Sequence, residues 1–185
     1  MNMMIAGLVL FLGLHLIPTV PALRARLIAK LGANVYRALF ALGSALGLVL
    51  IVAGYWHRPP RAQLFEPYSA ARAAAPLLVS LAFVLLASAN MRTHIRKTLQ
   101  HPMLLGLLLW SGVHLFANGD LTGTILFASF FAYSILALLS AIQRHAVKPF
   151  EPSWQFDAMA VAAGLIAAYL TILFHPALFG TGPVA

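Results

Sequence analysis

Cysteine is absent from the sequence, so disulfide bonds, zinc–thiolate sites and cysteine-ligated iron–sulfur clusters are excluded. Charge is also scarce: only 9% of the 185 residues are Asp, Glu, Lys or Arg, against about 25% in an ordinary soluble domain. Acidic residues number four. Glu66 and Glu151 stand beside prolines, and Asp120 and Asp157 stand at the starts of apolar runs. A paired-carboxylate catalytic site or a carboxylate proton relay is therefore not expected.

Long apolar runs are what the sequence has in abundance, since 62% of its residues are hydrophobic. Each run is free of charged residues for at least 19 positions, and a helix needs about 20 residues to cross the hydrocarbon core. The runs are 1–23, 38–57, 73–91, 98–119, 121–143 and 158–185. No alternating pattern indicates a membrane β-barrel, and no linker divides the chain. The prediction is an all-α fold, an integral membrane bundle of about six transmembrane helices, in one domain, 1–185.

The basic residues lie between the apolar runs, which favours a role in membrane orientation over contact with nucleic acid. With six spans, nine basic residues fall on one side and three on the other. The nine are Arg24, Arg26, Lys30, Arg37, Arg92, Arg96, Lys97, Arg144 and Lys148; the three are Arg58, Arg61 and Arg72. The larger group marks the cytoplasmic side. Both termini are therefore predicted outside the cytoplasm, which a reporter fused after Ala185 would test.

Two shorter patterns carry structural predictions. In and just before segment 24–37, apolar residues recur every four positions, at Leu23, Leu27 and Leu31, and the basic residues lie on other faces. This pattern is typical of a short interfacial helix; a solvated basic connection is the alternative. Gly43 and Gly47 form a small-xxx-small step that allows two membrane helices to approach closely.

Histidines are the candidates for chemistry, because ionisable groups inside a bilayer are costly and often functional. His15 and His114 lie well inside apolar runs, His101 at the mouth of the fourth run and His175 near the far end of the sixth. In a bundle without acids, deep imidazoles suggest a metal or haem site; the alternative is a neutral imidazole bonded to a neighbouring helix. The other three histidines lie in connections and are expected to be solvated: His57, His94 and His145.

Depth in the membrane selects one pair of histidines. Counted from the predicted cytoplasmic edge at 1.5 Å per residue, His15 lies about 13 Å deep and His114 about 20 Å. His101 is at the edge itself and His175 is about 27 Å deep, so both match His15 less well. His15 with His114 is the preferred pair, and His101 and His175 are weaker candidates.

Two segments of the sequence resemble the NnrU family of membrane proteins. One is HPMLLGLLLWSGVHLFANGD at 101–120, and the other is GLVLFLGLHLIPTVPALRARL at 7–27; the resemblance is strongest over 5–145. It implies a bacterial cytoplasmic membrane protein linked to denitrification through production of nitrite and nitric oxide reductase. The family is also similar to zeta-carotene isomerase, a membrane enzyme that contains haem b.

The resemblance also implies a set of site residues. By position, His15 and His114 correspond to the two histidines implicated as haem ligands in the isomerase. Trp110 and Asn118 flank His114 at helical spacing and are candidate cofactor neighbours, although Trp110 would alternatively pack on a neighbouring helix. Ser111 stands where the isomerase has a cysteine, so a redox-driven exchange to a thiolate ligand is not expected.

Three functions remain open at this point. The first is a haem-binding protein that supports denitrification as a redox, sensor or maturation component. The second is a haem-dependent cis/trans isomerase of a carotenoid-like polyene, and the third is a structural membrane protein without a cofactor. The implied partners are the lipid bilayer and either denitrification proteins or a lipophilic substrate.

Overall fold

The computed structural model describes residues 1–57, 62–146 and 149–180. Over these residues the regular elements are all helical, which confirms the all-α prediction. They are α1 (Asn2–Leu16), a short 3-10 helix (Ile17–Thr19), α2 (Pro21–Leu31), α3 (Ala33–Trp56), α4 (Ser69–Ser88), α5 (His94–Leu99), α6 (Pro102–Asn118), α7 (Leu121–Gln143) and α8 (Trp154–Phe179). Three of the basic residues used to predict orientation, Arg58, Arg61 and Lys148, lie outside the described residues, as does Ala185.

Among the described residues, five helical segments are long and apolar enough to cross a membrane: α1 with its 3-10 extension, α3, α4, α7 and α8. The remaining predicted span, the fourth run at 98–119, corresponds to α6, an apolar helix of 17 residues. The chain forms two compact units, Met1–Ala62 and Gln63–Ala185.

In the first unit, glycines allow α1 and α3 to pack at backbone distance. A Cβ atom on Gly7 would lie 2.7 Å from both the carbonyl oxygen of Gly47 and the amide nitrogen of Ile51. Gly43 faces Leu14, and Gly47 faces Phe11. The predicted small-xxx-small step on α3 is therefore confirmed as a helix contact.

The basic segment after α1 is helical for most of its length. Pro21 occupies the first turn of α2, where its missing N–H costs nothing. The helix ends at Gly32, whose φ of +79° is a conformation that L side chains rarely adopt. The predicted helix in segment 24–37 is thus present up to Leu31, and the remainder of that segment belongs to α3.

In the second unit, α4 packs against both α6 and α8, and α6 also packs against α7. Glycine again sets the spacing. A Cβ atom on Gly106 of α6 would lie 2.9 Å from the carbonyl oxygen of Ala82, and one on Gly164 of α8 would lie 2.5 Å from Cα of Val84. The helices of this unit therefore meet α4 with their backbones close together.

Local signals in the sequence set both ends of α6. His101 is the N-cap residue and Pro102 the first helical residue, a position that proline favours. Gly119 ends the helix with a φ of +73°. Asp120 then caps α7, since its carboxylate accepts a hydrogen bond from the amide of Gly123 at 2.9 Å.

The expectation that His94 is a simple solvated residue is wrong. Its Nδ1 lies 2.6 Å from the Asp157 carboxylate, which also accepts hydrogen bonds from the amides of His94 and Ile95. The ring of Trp154 stacks on the imidazole with 4.1 Å between centroids. Asp157 therefore joins α8 to the start of α5 instead of only complementing its own helix end.

Candidate functional site

His15 is half-buried near the end of α1, and its ring is oriented by its own helix. Nδ1 lies 2.7 Å from the carbonyl oxygen of Phe11. Because a carbonyl can only accept, Nδ1 carries the hydrogen, and the acceptor lone pair of the neutral ring lies on Nε2. The ring stacks on Phe11 at 4.1 Å and contacts Phe40 of α3 at 5.1 Å.

His114 has the same arrangement in the second unit. Its Nδ1 lies 2.8 Å from the carbonyl oxygen of Trp110, one helical turn earlier. The imidazole contacts the ring of Trp110 at 5.2 Å and the ring of Phe127 at 4.8 Å. Its neutral form therefore also presents Nε2 as the acceptor nitrogen.

This donor chemistry fits a haem. Haem iron takes neutral imidazole nitrogen as an axial ligand, and metal-bound histidines usually donate the other ring N–H to a carbonyl or carboxylate. His15 and His114 each have that hydrogen bond and an aromatic residue four positions earlier. The acceptors are the carbonyl oxygens of Phe11 and Trp110.

Trp110 contacts the histidine and also packs on the neighbouring helix. Besides His114, its ring meets Phe127 at 5.2 Å and Phe130 at 5.7 Å, both edge-on. Phe127 and Phe130 belong to α7. The packing of Trp110 on a neighbouring helix is therefore confirmed, and its role as a cofactor neighbour stays a prediction.

Ser111 and Asn118 each contact residues that are close to them along the chain. Ser111 is fully buried, and its hydroxyl donates to the carbonyl oxygen of Leu107 at 2.7 Å. Asn118 is the last residue of α6 and lies beside Gly123 at the start of α7. Their roles as cofactor neighbours remain predictions.

The second unit brings His175 near His114. The two side chains lie within electrostatic range of each other, and the ring of His175 contacts that of Phe179 at 4.9 Å. The depths in the membrane predicted from the sequence differ by about 7 Å between these two histidines. Counting along helices does not include helix tilt or the direction of the side chain, and both alter the distance between imidazoles.

His101 lies at the opposite end of α6, in a different setting. It lines a pocket of about 340 Å³ with Gln100, Ile142 and His145. Its Nε2 atom is buried and has no hydrogen-bond partner among the described residues. Burial, together with the nearby Arg144 guanidinium, lowers the pKa of His101 from its ordinary value.

Acidification should therefore destabilise the protein through His101. The folded state favours the neutral ring, whereas the unfolded chain takes up its proton near pH 6.5. The stability that the neutral His101 ring gives the folded state is therefore complete above about pH 6.5 and is lost as the pH falls below that value. The expected result is a fall in Tm from pH 7.5 to 5.5 that is smaller in His101→Gln, measured by thermal unfolding in detergent. An equal fall in both proteins would show that His101 makes no such contribution.

Two polar atoms in the first unit were not singled out from the sequence. The hydroxyls of Tyr36 and Ser44 are buried and have no hydrogen-bond partner among the described residues. With Phe40 between them, they occupy positions i, i+4 and i+8 on one face of α3. That spacing is visible in the sequence, but whether a hydroxyl has a partner depends on the packing of α1 and α2 around it.

Comparison with known proteins identifies one family. The family model described as NnrU protein matches residues 3–183, nearly the whole chain and both compact units. No curated protein and no solved structure matches the sequence.

Proposed function

We propose that this chain, which belongs to the NnrU family, binds haem b in the bacterial cytoplasmic membrane. His15 and His114 are the residues that would hold its iron. In this proposal the protein supports production of nitrite and nitric oxide reductase, as a redox, sensor or maturation component of denitrification. Family membership supports this assignment over that of a cofactor-free structural protein.

The observation that carries the proposal is the shared orientation of the two imidazoles. Each donates Nδ1–H to the carbonyl four residues earlier and keeps Nε2 as the acceptor nitrogen. The two belong to different units of the chain, so their pairing rests on the sequence. When bound, the haem would supply one-electron redox chemistry or a binding position for a small gas such as nitric oxide.

Aromatic residues around each imidazole support this role. Phe11 and Phe40 flank His15, while Trp110 and Phe127 flank His114. Apolar rings exclude water and lower the local dielectric, and both conditions tune the redox potential of a bound iron. In this proposal the chain's own residues orient the ligands and keep the surroundings dry.

The proposed membrane arrangement has six spans with both termini outside the cytoplasm. The α6 helix has 17 residues, at the lower limit of about 17–25 for a spanning helix. It packs against α4 and α7, which are both long enough to span. A shorter helix held between two spanning helices is expected to cross with them, and the basic residues then lie mostly on the cytoplasmic side.

A deletion strain complemented with variants tests the function. Wild-type protein should restore nitrite and nitric oxide reductase activities, and His114→Ala should not. His57→Ala is the matched control, because His57 bonds to the carbonyl of Ala53 at 2.8 Å but is exposed. Unchanged reductase activities in the deletion strain would contradict the proposal, and accumulation of polyene isomers there would favour the isomerase.

A further inference from the structure

Tyr36, in the first turn of α3, has a buried hydroxyl. The residue is 8% exposed, and its oxygen has no hydrogen-bond partner among the described residues. Leaving a buried hydroxyl unpaired costs free energy comparable to a lost hydrogen bond, so such a group calls for an explanation. A bound molecule that accepts a hydrogen bond would supply one.

A cation lies next to this hydroxyl-bearing ring. The guanidinium carbon of Arg24, on α2, is 6.0 Å from the centroid of the Tyr36 ring. The first 62 residues contain no Asp or Glu, so this unit has no side-chain carboxylate to neutralise Arg24. A guanidinium over the ring of a tyrosine, whose hydroxyl can donate a hydrogen bond, is a pairing that suits a carboxylate or a phosphate.

The same ring is connected to the proposed iron ligand through Phe40. The Phe40 ring contacts the His15 imidazole at 5.1 Å and the Tyr36 ring at 6.1 Å. The first unit therefore places three groups in a row. They are the His15 imidazole, the apolar Phe40 ring, and Tyr36 with the Arg24 guanidinium near its ring. Haem has the matching order of an iron centre, an apolar macrocycle and carboxylates on one edge.

We infer that Tyr36 and Arg24 bind a propionate carboxylate of the haem whose iron is held by His15. This inference rests on the proposed function. A lipid phosphate offers the same chemistry to a hydroxyl and a guanidinium, but it would not account for the aromatic contacts that lead to His15. The haem carboxylate is therefore the occupant that the contacts favour.

Haem with esterified carboxylates provides the test. The purified protein in phosphatidylcholine nanodiscs is titrated with haem b and with its dimethyl ester, and binding is followed by the Soret band. Tyr36→Phe and Arg24→Gln should each weaken haem b binding about tenfold. Neither substitution should weaken binding of the ester, which offers no charged carboxylate. The position of the Soret band should not change, because the iron ligands are intact.

Two variants serve as matched controls. Ser44→Ala removes the other unpartnered hydroxyl on the same face of α3, and Arg26→Gln removes a charge from the same helix as Arg24. Both should bind haem b and its ester as the wild type does. Equal losses for haem b and the ester in Tyr36→Phe, or no loss for either, would overturn the inference.

The remaining outcomes separate this inference from the proposed function. If the wild type binds no haem, both fail. If it binds haem but Tyr36→Phe does not distinguish haem from its ester, only the carboxylate site is wrong. Nanodiscs containing phosphatidylglycerol test the lipid phosphate: retention of this lipid that depends on Tyr36, with unchanged haem affinity, would assign the site to lipid and overturn the inference.

Discussion

His15→Ala and His114→Ala are each expected to weaken haem binding by about 100-fold or more. Loss of even a residue that supports a metal ligand typically costs 10- to 100-fold, and these substitutions remove the proposed ligands themselves. The Soret band of the purified protein should disappear, or shift to a five-coordinate position if one ligand still holds the iron. Absorption and resonance Raman spectra of protein loaded with haem would measure the change.

The controls for this experiment come from other histidines of the chain. His57→Ala removes an exposed imidazole that makes the same backbone hydrogen bond and should leave the spectrum unchanged. His175→Ala tests whether His175, which lies near His114, is an iron ligand in place of His15. If His175→Ala removes a ligand while His15→Ala does not, the pairing of His15 with His114 is wrong and the second unit supplies both ligands.

Gly7→Ala is expected to destabilise the first unit by about 3 kcal/mol, the upper part of the usual range for overpacking. The added methyl group would lie 2.7 Å from backbone atoms of both Gly47 and Ile51. Backbone atoms cannot rotate away as the end of a flexible side chain can, so α1 and α3 would have to move apart. Close packing is a main attraction between helices in a bilayer, and separating them removes it.

Gly13→Ala is the matched control on the same helix. A Cβ atom there meets nothing within 4 Å, and alanine is favoured over glycine inside a helix by up to about 1 kcal/mol. Unfolding of both variants and the wild type in mixed detergent micelles, followed by circular dichroism, compares the free energies of unfolding. Equal stability of Gly7→Ala and Gly13→Ala would contradict the close approach of α1 and α3.

The fold class and several helix ends were predictable because local physics determines them. A run without charges that is long enough to cross a bilayer becomes a helix, since only internal hydrogen bonds satisfy its backbone in lipid. Pro102 begins α6 and Asp120 caps the start of α7, as their residue types favour. The 17-residue length of α6 is less than the 22 residues of its charge-free run, 98–119, because α5 occupies the start of that run and extends to Leu99.

The candidate residues were likewise visible in the sequence, but their surroundings were not. His15 and His114 were selected because they are imidazoles deep in apolar runs, a property of position along one helix. The aromatic residue four positions before each histidine was also visible, whereas the contacts of Phe40 and Phe127 with those imidazoles join different helices. Such contacts depend on how helices rotate about their own axes, which the order of residues in one segment does not specify.

By itself, therefore, the sequence determined an all-helical fold with membrane-spanning helices, its family and the choice of candidate histidines. Tertiary structure alone decided that His94 pairs with Asp157, 63 residues away. It alone also decided that the buried hydroxyl of Tyr36 has no partner within the part of the chain that the structure describes. The physical reason is that hydrophobic length and capping act within a few residues along the chain. Ion pairs, unpaired buried groups and distances between imidazoles arise only when separate helices pack together.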